Sequence, residues 1–131
     1  MEERELIRQA ICARENAYAP YSGFQVGAAL LAKGGGIYRG CNVENAAYTP
    51  TNCAERTAFF SAICHGEREF AAIAIVGGPE GRMTAPSPCG VCRQVMMEFC
   101  DPKTFRIILA KSESDYERLT LEELYPRGFQ L

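Results

Sequence analysis

Two cysteine motifs in this chain are equipped for chemistry: Cys53-Ala54-Glu55-Arg56 and Pro88-Cys89-Gly90-Val91-Cys92-Arg93. Both fall where a loop is expected to enter a helix. Cys89 and Cys92, three residues apart, share one side of a helical turn and can grip one ion. Cys53 would supply a third thiolate from a second helix start. Three protein ligands leave the fourth tetrahedral position for water, as in catalytic zinc sites. Glu55 lies two residues beyond Cys53, near the same helix end but not on the same side. Its carboxylate is therefore expected to reach the water rather than the ion, take its proton and pass it to a substrate nitrogen.

Three thiolates on one Zn²⁺ leave a net negative charge, which opposes deprotonation of water. Two helix N-termini offset it, each carrying roughly +0.5 of a charge. Arg56 is placed to donate hydrogen bonds to the thiolates, and Arg93, beside Cys92, is a weaker second source. Three other readings of these cysteines stay open at this point, one being that Cys53, Cys89 and Cys92 are simply buried hydrophobic residues. A redox pair would place Cys89 and Cys92 after the first strand of a βαβ unit and would have no use for Cys53-Ala54-Glu55. A structural zinc site would need a fourth ligand, for which Cys41 or Cys100 is available. No spacing rule recruits Cys12, Cys41, Cys64 or Cys100, and all four are expected in the core. The single histidine, His65, is expected at an exposed helix end. One histidine excludes HExxH and three-histidine zinc sites.

The elements that must position these groups follow from periodicity. Leu6, Ala10, Ala13 and Ala17, with Ile7 and Ile11 beside them, predict a helix from Glu2 to about Ala19, stopped by Pro20. Strands are predicted over Phe24 to Lys33 and Ile37 to Val43, joined by a glycine-rich hairpin turn. A helix follows from Cys53 to Gly66, with Ala54, Thr57, Ala58, Ser61 and Ala62 as a small-residue face. Phe70 to Val76 reads as a buried strand and Gly77 to Gly81 as loop. Cys89 to Cys100 reads as helix, Thr104 to Ala110 as strand and Leu119 to Tyr125 as a short final helix. Alternating helices and strands predict an α/β sheet covered on both faces.

The chain has 131 residues, enough for one domain with a sizeable core, and residues 1–131 are read as that single domain. Its composition, 47% hydrophobic and 23% charged, excludes the disordered and fibrous classes. A net charge of −2 gives no footprint for a nucleic-acid partner and no polybasic anchor for a membrane. The longest apolar runs, Val26 to Ala32 and Phe70 to Val76, are far short of a membrane span of about 20 residues. The acidic start, Met1-Glu2-Glu3, lacks the character of a secretory signal, and the expected location is cytoplasmic.

Asn42-Val43-Glu44-Asn45-Ala46, Cys53-Ala54-Glu55-Arg56 and Pro88-Cys89-Gly90-Val91-Cys92-Arg93-Gln94 occur in this order, preceded by Tyr18-Ala19-Pro20-Tyr21-Ser22 and Phe24 to Leu30. In this combination the chain resembles cytidine deaminase, most closely the short homotetrameric class with three cysteine ligands. A glutamate that does not ligate, followed by Pro-Cys-x-x-Cys, is the pattern of zinc deaminases. The resemblance implies a three-layer fold with a mixed five-stranded sheet between helices. It implies hydrolytic deamination of cytidine and 2′-deoxycytidine in pyrimidine salvage, with one Zn²⁺ per subunit held by Cys53, Cys89 and Cys92. Glu55 then matches the proton shuttle, and Asn42 and Glu44 match the pair that holds the ribose 3′-hydroxyl. Phe24 matches the aromatic against the pyrimidine, and the Ala54 amide matches a contact to the base carbonyl. Tyr48 and Phe129 look like residues offered to the sites of neighbouring subunits. Pro50, in the loop before Cys53, departs from the pattern. The alternatives are a deaminase for a related aminopyrimidine such as blasticidin S, and a non-catalytic module stabilised by zinc.

Overall fold

The computed structural model describes residues 3–131. The elements run α1 (Glu3–Arg14), β1 (Phe24–Ala32), β2 (Ile37–Cys41), α2 (Ala54–Cys64), β3 (Phe70–Pro79), α3 (Gly90–Phe99), β4 (Arg106–Ala110), β5 (Tyr116–Thr120) and α4 (Leu121–Leu124). The five strands form one sheet in the order β2-β1-β3-β4-β5. β3 and β4 are parallel, and the other neighbouring pairs are antiparallel. This is the mixed five-stranded sheet that the resemblance implies.

Helices cover both faces, as the alternation predicts. On one face Leu6, Ile7 and Ala10 of α1 pack on Ala29, Ala74, Val76 and Ile108. On the other, Ala54, Ala58 and Phe59 of α2 and Cys92, Met96 and Met97 of α3 pack on Ala28, Leu30, Ile73, Ile75 and Ile107. β1, β3 and β4 are apolar on both faces because each face meets a helix layer. Two glycines let helices approach the sheet closely. A Cβ on Gly27 would strike the backbone of α1 at Ala10 and Arg14, and one on Gly40 would strike α2 at Ala54 and Ala58.

Four expectations are corrected. The first helix ends at Arg14, not at Ala19, and its predicted start at Glu2 lies outside the described residues. Tyr18 leaves the helix to pair with Val43, its N–H donating to the Asn42 carbonyl at 3.0 Å. Gly77, Gly78 and Pro79 are strand rather than loop, paired with Val26, Gln25 and Phe24. The glycines fit because the segment around Thr84 folds back over them. β5 is absent from the periodicity reading, because an edge strand with the sequence Tyr-Glu-Arg-Leu-Thr shows no apolar run. Finally, Cys12 and Cys64 are exposed and Cys41 is half-buried, leaving Cys100 as the buried one of those four. Cys12 lies off the Leu6–Ala10–Ala13 stripe, and Cys64 is the last residue of α2.

Candidate active site

The two cysteine motifs meet at the N-terminal ends of α2 and α3. Cys53 is the residue before the first turn of α2, in extended geometry, and Cys89 holds the same position before α3. Cys92 follows one turn into α3, and its N–H donates to the Cys89 sulfur at 3.4 Å. The sulfurs of Cys53, Cys89 and Cys92 all lie within 4.8 Å of one another. Those of Cys53 and Cys89 are 3.8 Å apart. Ligands about 2.3 Å from a tetrahedral zinc ion are separated by about 3.8 Å, so the donor set fits zinc in both chemistry and spacing. Cys41 and Cys100 are outside this cluster, which leaves three ligands among the described residues.

The charge balance is visible in the side chains. The Arg56 Nη2 donates to the Cys53 sulfur at 3.3 Å. A hydrogen bond from the Cys92 thiol, and then Arg56, pull the Cys53 thiol down to about 5 against the effect of burial. Cys92 is held far above the ordinary thiol range by its bond to Cys53 and by burial. A cation placed among the three would displace the remaining protons. The expected help from Arg93 does not materialise. Its guanidinium donates to the Pro88 and Leu124 carbonyls and to the Ser87 hydroxyl, tying the entry to α3 to α4.

Glu55 occupies the first turn of α2 and is 5% exposed. Burial is the main cause that pushes its carboxyl up to about 7. Its own backbone N–H opposes this, the Cys53 thiolate adds to it, and Arg56 opposes it again. A carboxyl near neutrality can both accept and release a proton at the working pH of most enzymes.

A cleft of about 280 Å³ opens in front of these groups, lined in part by Phe24, Val26, Asn42, Glu44, Cys53, Ala54, Glu55 and Cys89. Phe24 starts β1. Asn42 follows β2 and is clamped to β1: its Oδ1 accepts from the Val26 N–H and its Nδ2 donates to the Phe24 carbonyl, each at 2.8 Å. One lone pair and one N–H of that amide remain for a ligand. Glu44 accepts from the backbone N–H groups of Tyr21 and Ser22 at 3.0 and 3.1 Å, and from the Ser22 hydroxyl. These bonds, the Ser22 hydroxyl foremost, hold its carboxyl below the ordinary range. Val43, between Asn42 and Glu44, exchanges backbone hydrogen bonds with Asn52 at 2.9 and 3.0 Å. The polar pair is thereby fastened to the residue that precedes Cys53.

Tyr48 and Phe129 stay outside this cleft. Tyr48 is 74% exposed with a left-handed φ of 61°, and borders an adjoining cleft with Tyr21, Glu44 and Asn45. Phe129 is also exposed, its carbonyl accepting from Gln94 at 3.0 Å. His65 caps the C-terminal end of α2 at the surface, as expected. Neither Ser22 nor Arg14 is assigned a role by any sequence motif, yet both form hydrogen bonds near the cleft. Arg14 donates to the Gln25, Gly78, Pro79 and Arg82 carbonyls at 2.8 to 3.0 Å, locking the start of β1 to the end of β3. Nothing in its sequence context distinguishes it from a solvated residue at a helix end.

Residues 1–108 match the family model described as the cytidine and deoxycytidylate deaminase zinc-binding region. The chain is 51% identical over 129 residues to a cytidine deaminase of Sporosarcina psychrophila, covering 98% of this chain and 92% of that protein. It is 50% identical to a cytidine deaminase of Halalkalibacterium halodurans, covering 98% and 95%. Its fold superposes on a crystal structure of cytidine deaminase from Burkholderia pseudomallei with a TM-score of 0.89, at 50% identity, covering 98% of this chain and all of that one.

Proposed function

The chain belongs to the zinc-binding cytidine and deoxycytidylate deaminase family, and from that premise we propose that it hydrolyses cytidine and 2′-deoxycytidine to the corresponding uridines and ammonia. The observation that carries this reading is the placing of three cysteine sulfurs within 4.8 Å of one another beside a buried glutamate on the wall of a nucleoside-sized cleft. Cys53, Cys89 and Cys92 would hold the zinc ion, which supplies Lewis acidity that makes water a nucleophile near neutral pH.

The remaining work falls to the side chains. Glu55 takes a proton from the attacking water as its oxygen bonds to C4 of the pyrimidine, and delivers that proton to N3. It carries the second proton to the exocyclic amine, the C4–N bond breaks, and ammonia leaves. Phe24 lies against the base, and the Ala54 N–H, at the positive end of α2, is offered to the base carbonyl. Asn42 and Glu44 hold the ribose 3′-hydroxyl, with the amide able to donate and accept and the carboxylate only to accept. That pair favours a substrate with a ribose-type sugar over other aminopyrimidines. Arg56 balances the thiolate charge.

We read residues 1–131 as one deaminase domain, since both apolar layers share a single sheet. A homotetramer is supported by the outward-facing Tyr48, Phe60, Val91 and Phe129, with Tyr48 and Phe129 offered to neighbouring sites. A cytoplasmic place in pyrimidine salvage suits seven free cysteines, which an oxidising compartment would tend to pair. No helix among the described residues is long and apolar enough to cross a membrane.

The deciding experiment follows conversion of cytidine to uridine spectrophotometrically with purified protein. Turnover that a tight zinc chelator abolishes and added Zn²⁺ restores is expected. A folded, zinc-loaded protein inert toward cytidine and deoxycytidine overturns the reading.

A further inference from the structure

Ser22 sits where two walls of the cleft meet. Its hydroxyl accepts from the Phe24 N–H at 3.0 Å and donates to the Glu44 Oε2. Its backbone N–H and that of Tyr21 both go to the other carboxylate oxygen of Glu44. The Glu44 carboxylate therefore takes all three of its described hydrogen bonds from one two-residue segment, and both of its oxygens are oriented by it. The acceptor capacity left over belongs to a carboxylate that lines the cleft together with Ser22. Gly23 makes the tight link between Ser22 and Phe24 at a φ of +68°, in the left-handed region that glycine enters without steric cost. One hydroxyl thus registers the aromatic at the start of β1 against the carboxylate that follows β2.

Resting on the reading that Glu44 accepts from the ribose, we propose that Ser22 is a positioning residue for sugar recognition: its hydroxyl aims the Glu44 carboxylate at the sugar hydroxyl and fixes its register to Phe24. Without that hydroxyl the carboxylate keeps its charge and its two backbone donors but loses the hold on one oxygen. The loss falls on substrates that carry the sugar hydroxyl and spares those that lack it. A merely structural role for Ser22 would weaken both alike.

The test compares kcat and KM for cytidine and for 3′-deoxycytidine in the zinc-loaded wild type, Ser22→Ala, Ser22→Thr and Glu44→Gln, with zinc content measured for each. The wild type is expected to prefer cytidine. Ser22→Ala should lose that preference by on the order of tenfold, the size of one hydrogen bond to a charged group, and mainly through KM. Glu44→Gln should show the same collapse, and Ser22→Thr, which keeps a hydroxyl, should restore the preference. Ser22→Ala with the wild-type ratio between the two substrates overturns the proposal. A wild type that treats the two substrates alike overturns the assignment of Glu44 to the sugar, and the proposal with it.

Discussion

Gly40 of β2 lies against the Ala54 carbonyl and the Ala58 side chain of α2 with no room for a Cβ between them. This contact sets how close the first turn of α2, with Glu55 in it and Cys53 immediately before it, stands to the sheet. Gly40→Ala should push that turn outward. Overpacking of this kind costs about 1–3 kcal/mol, read from urea denaturation. Because the displaced turn carries the proposed proton shuttle, kcat should fall in the molecules that remain folded. A variant with wild-type stability and turnover would contradict the contact.

The cysteine cluster makes metal content a direct readout. Cys89→Ala removes a sulfur that lies 3.8 Å from Cys53 and accepts from the Cys92 N–H. Less than stoichiometric zinc by metal analysis is expected, with a lower Tm than the zinc-loaded wild type. A ligand that binds only the folded state stabilises it by mass action, so chelation should lower the wild-type Tm in the same direction. A Cys89→Ala protein with one tightly held zinc per chain would refute Cys89 as a ligand.

In metal-free protein the thiols of Cys53 and Cys92 should react very differently. Cys53, with its thiol pulled down to about 5, is largely thiolate at about pH 6, whereas Cys92 is held protonated. Alkylation at about pH 6 followed by peptide mapping should label Cys53 and spare Cys92. Arg56→Ala removes the donor 3.3 Å from the Cys53 sulfur, so the pH at which Cys53 becomes reactive should rise. An unchanged reactivity profile in that variant would deny Arg56 its role in balancing the thiolate.

The clustering of the three cysteines is legible in the sequence because they come from two short motifs at helix starts, where position along the chain nearly determines position in space. The helix layers were legible for a similar reason: the Leu6–Ala10–Ala13 stripe is local. What escaped depends on partners distant in sequence. Arg14 finds its four carbonyl acceptors 11 to 68 residues away, and no local pattern announces them. Gly77 and Gly78 have a turn-like composition, yet they pair with β1 because the Thr84 segment needs the space their missing side chains leave. β5 is held by β4 and needs little apolar character of its own. The distinct fates of Arg56 and Arg93, both next to or near a clustered cysteine, are set by tertiary neighbours, with Leu124 drawing Arg93 away from the sulfurs.

Glu55 links stability to chemistry, and the two can be separated. Its carboxyl is raised from 4.5 to about 7, chiefly by burial. Below about pH 4.5 it is protonated in both the folded and the unfolded chain, and its burial carries no ionisation penalty. As pH rises toward 7 the unfolded chain ionises while the folded chain keeps its proton, so this group's contribution to stability is lost over that interval. The full loss is on the order of 3 kcal/mol above about pH 7, at 1.36 kcal/mol per pKa unit. In metal-free protein, Glu55→Gln should remove that slope, so the variant gains on the wild type as pH rises from about 4.5 to 7 and not below. In zinc-loaded protein the same variant should keep stoichiometric metal, since Glu55 is not among the clustered ligands. Its turnover of cytidine should fall by about 10²–10⁴-fold, the contribution typical of a positioned acid–base group. A Glu55→Gln enzyme that holds zinc and retains a substantial share of wild-type kcat would remove Glu55 from the proton path and leave its burial unexplained.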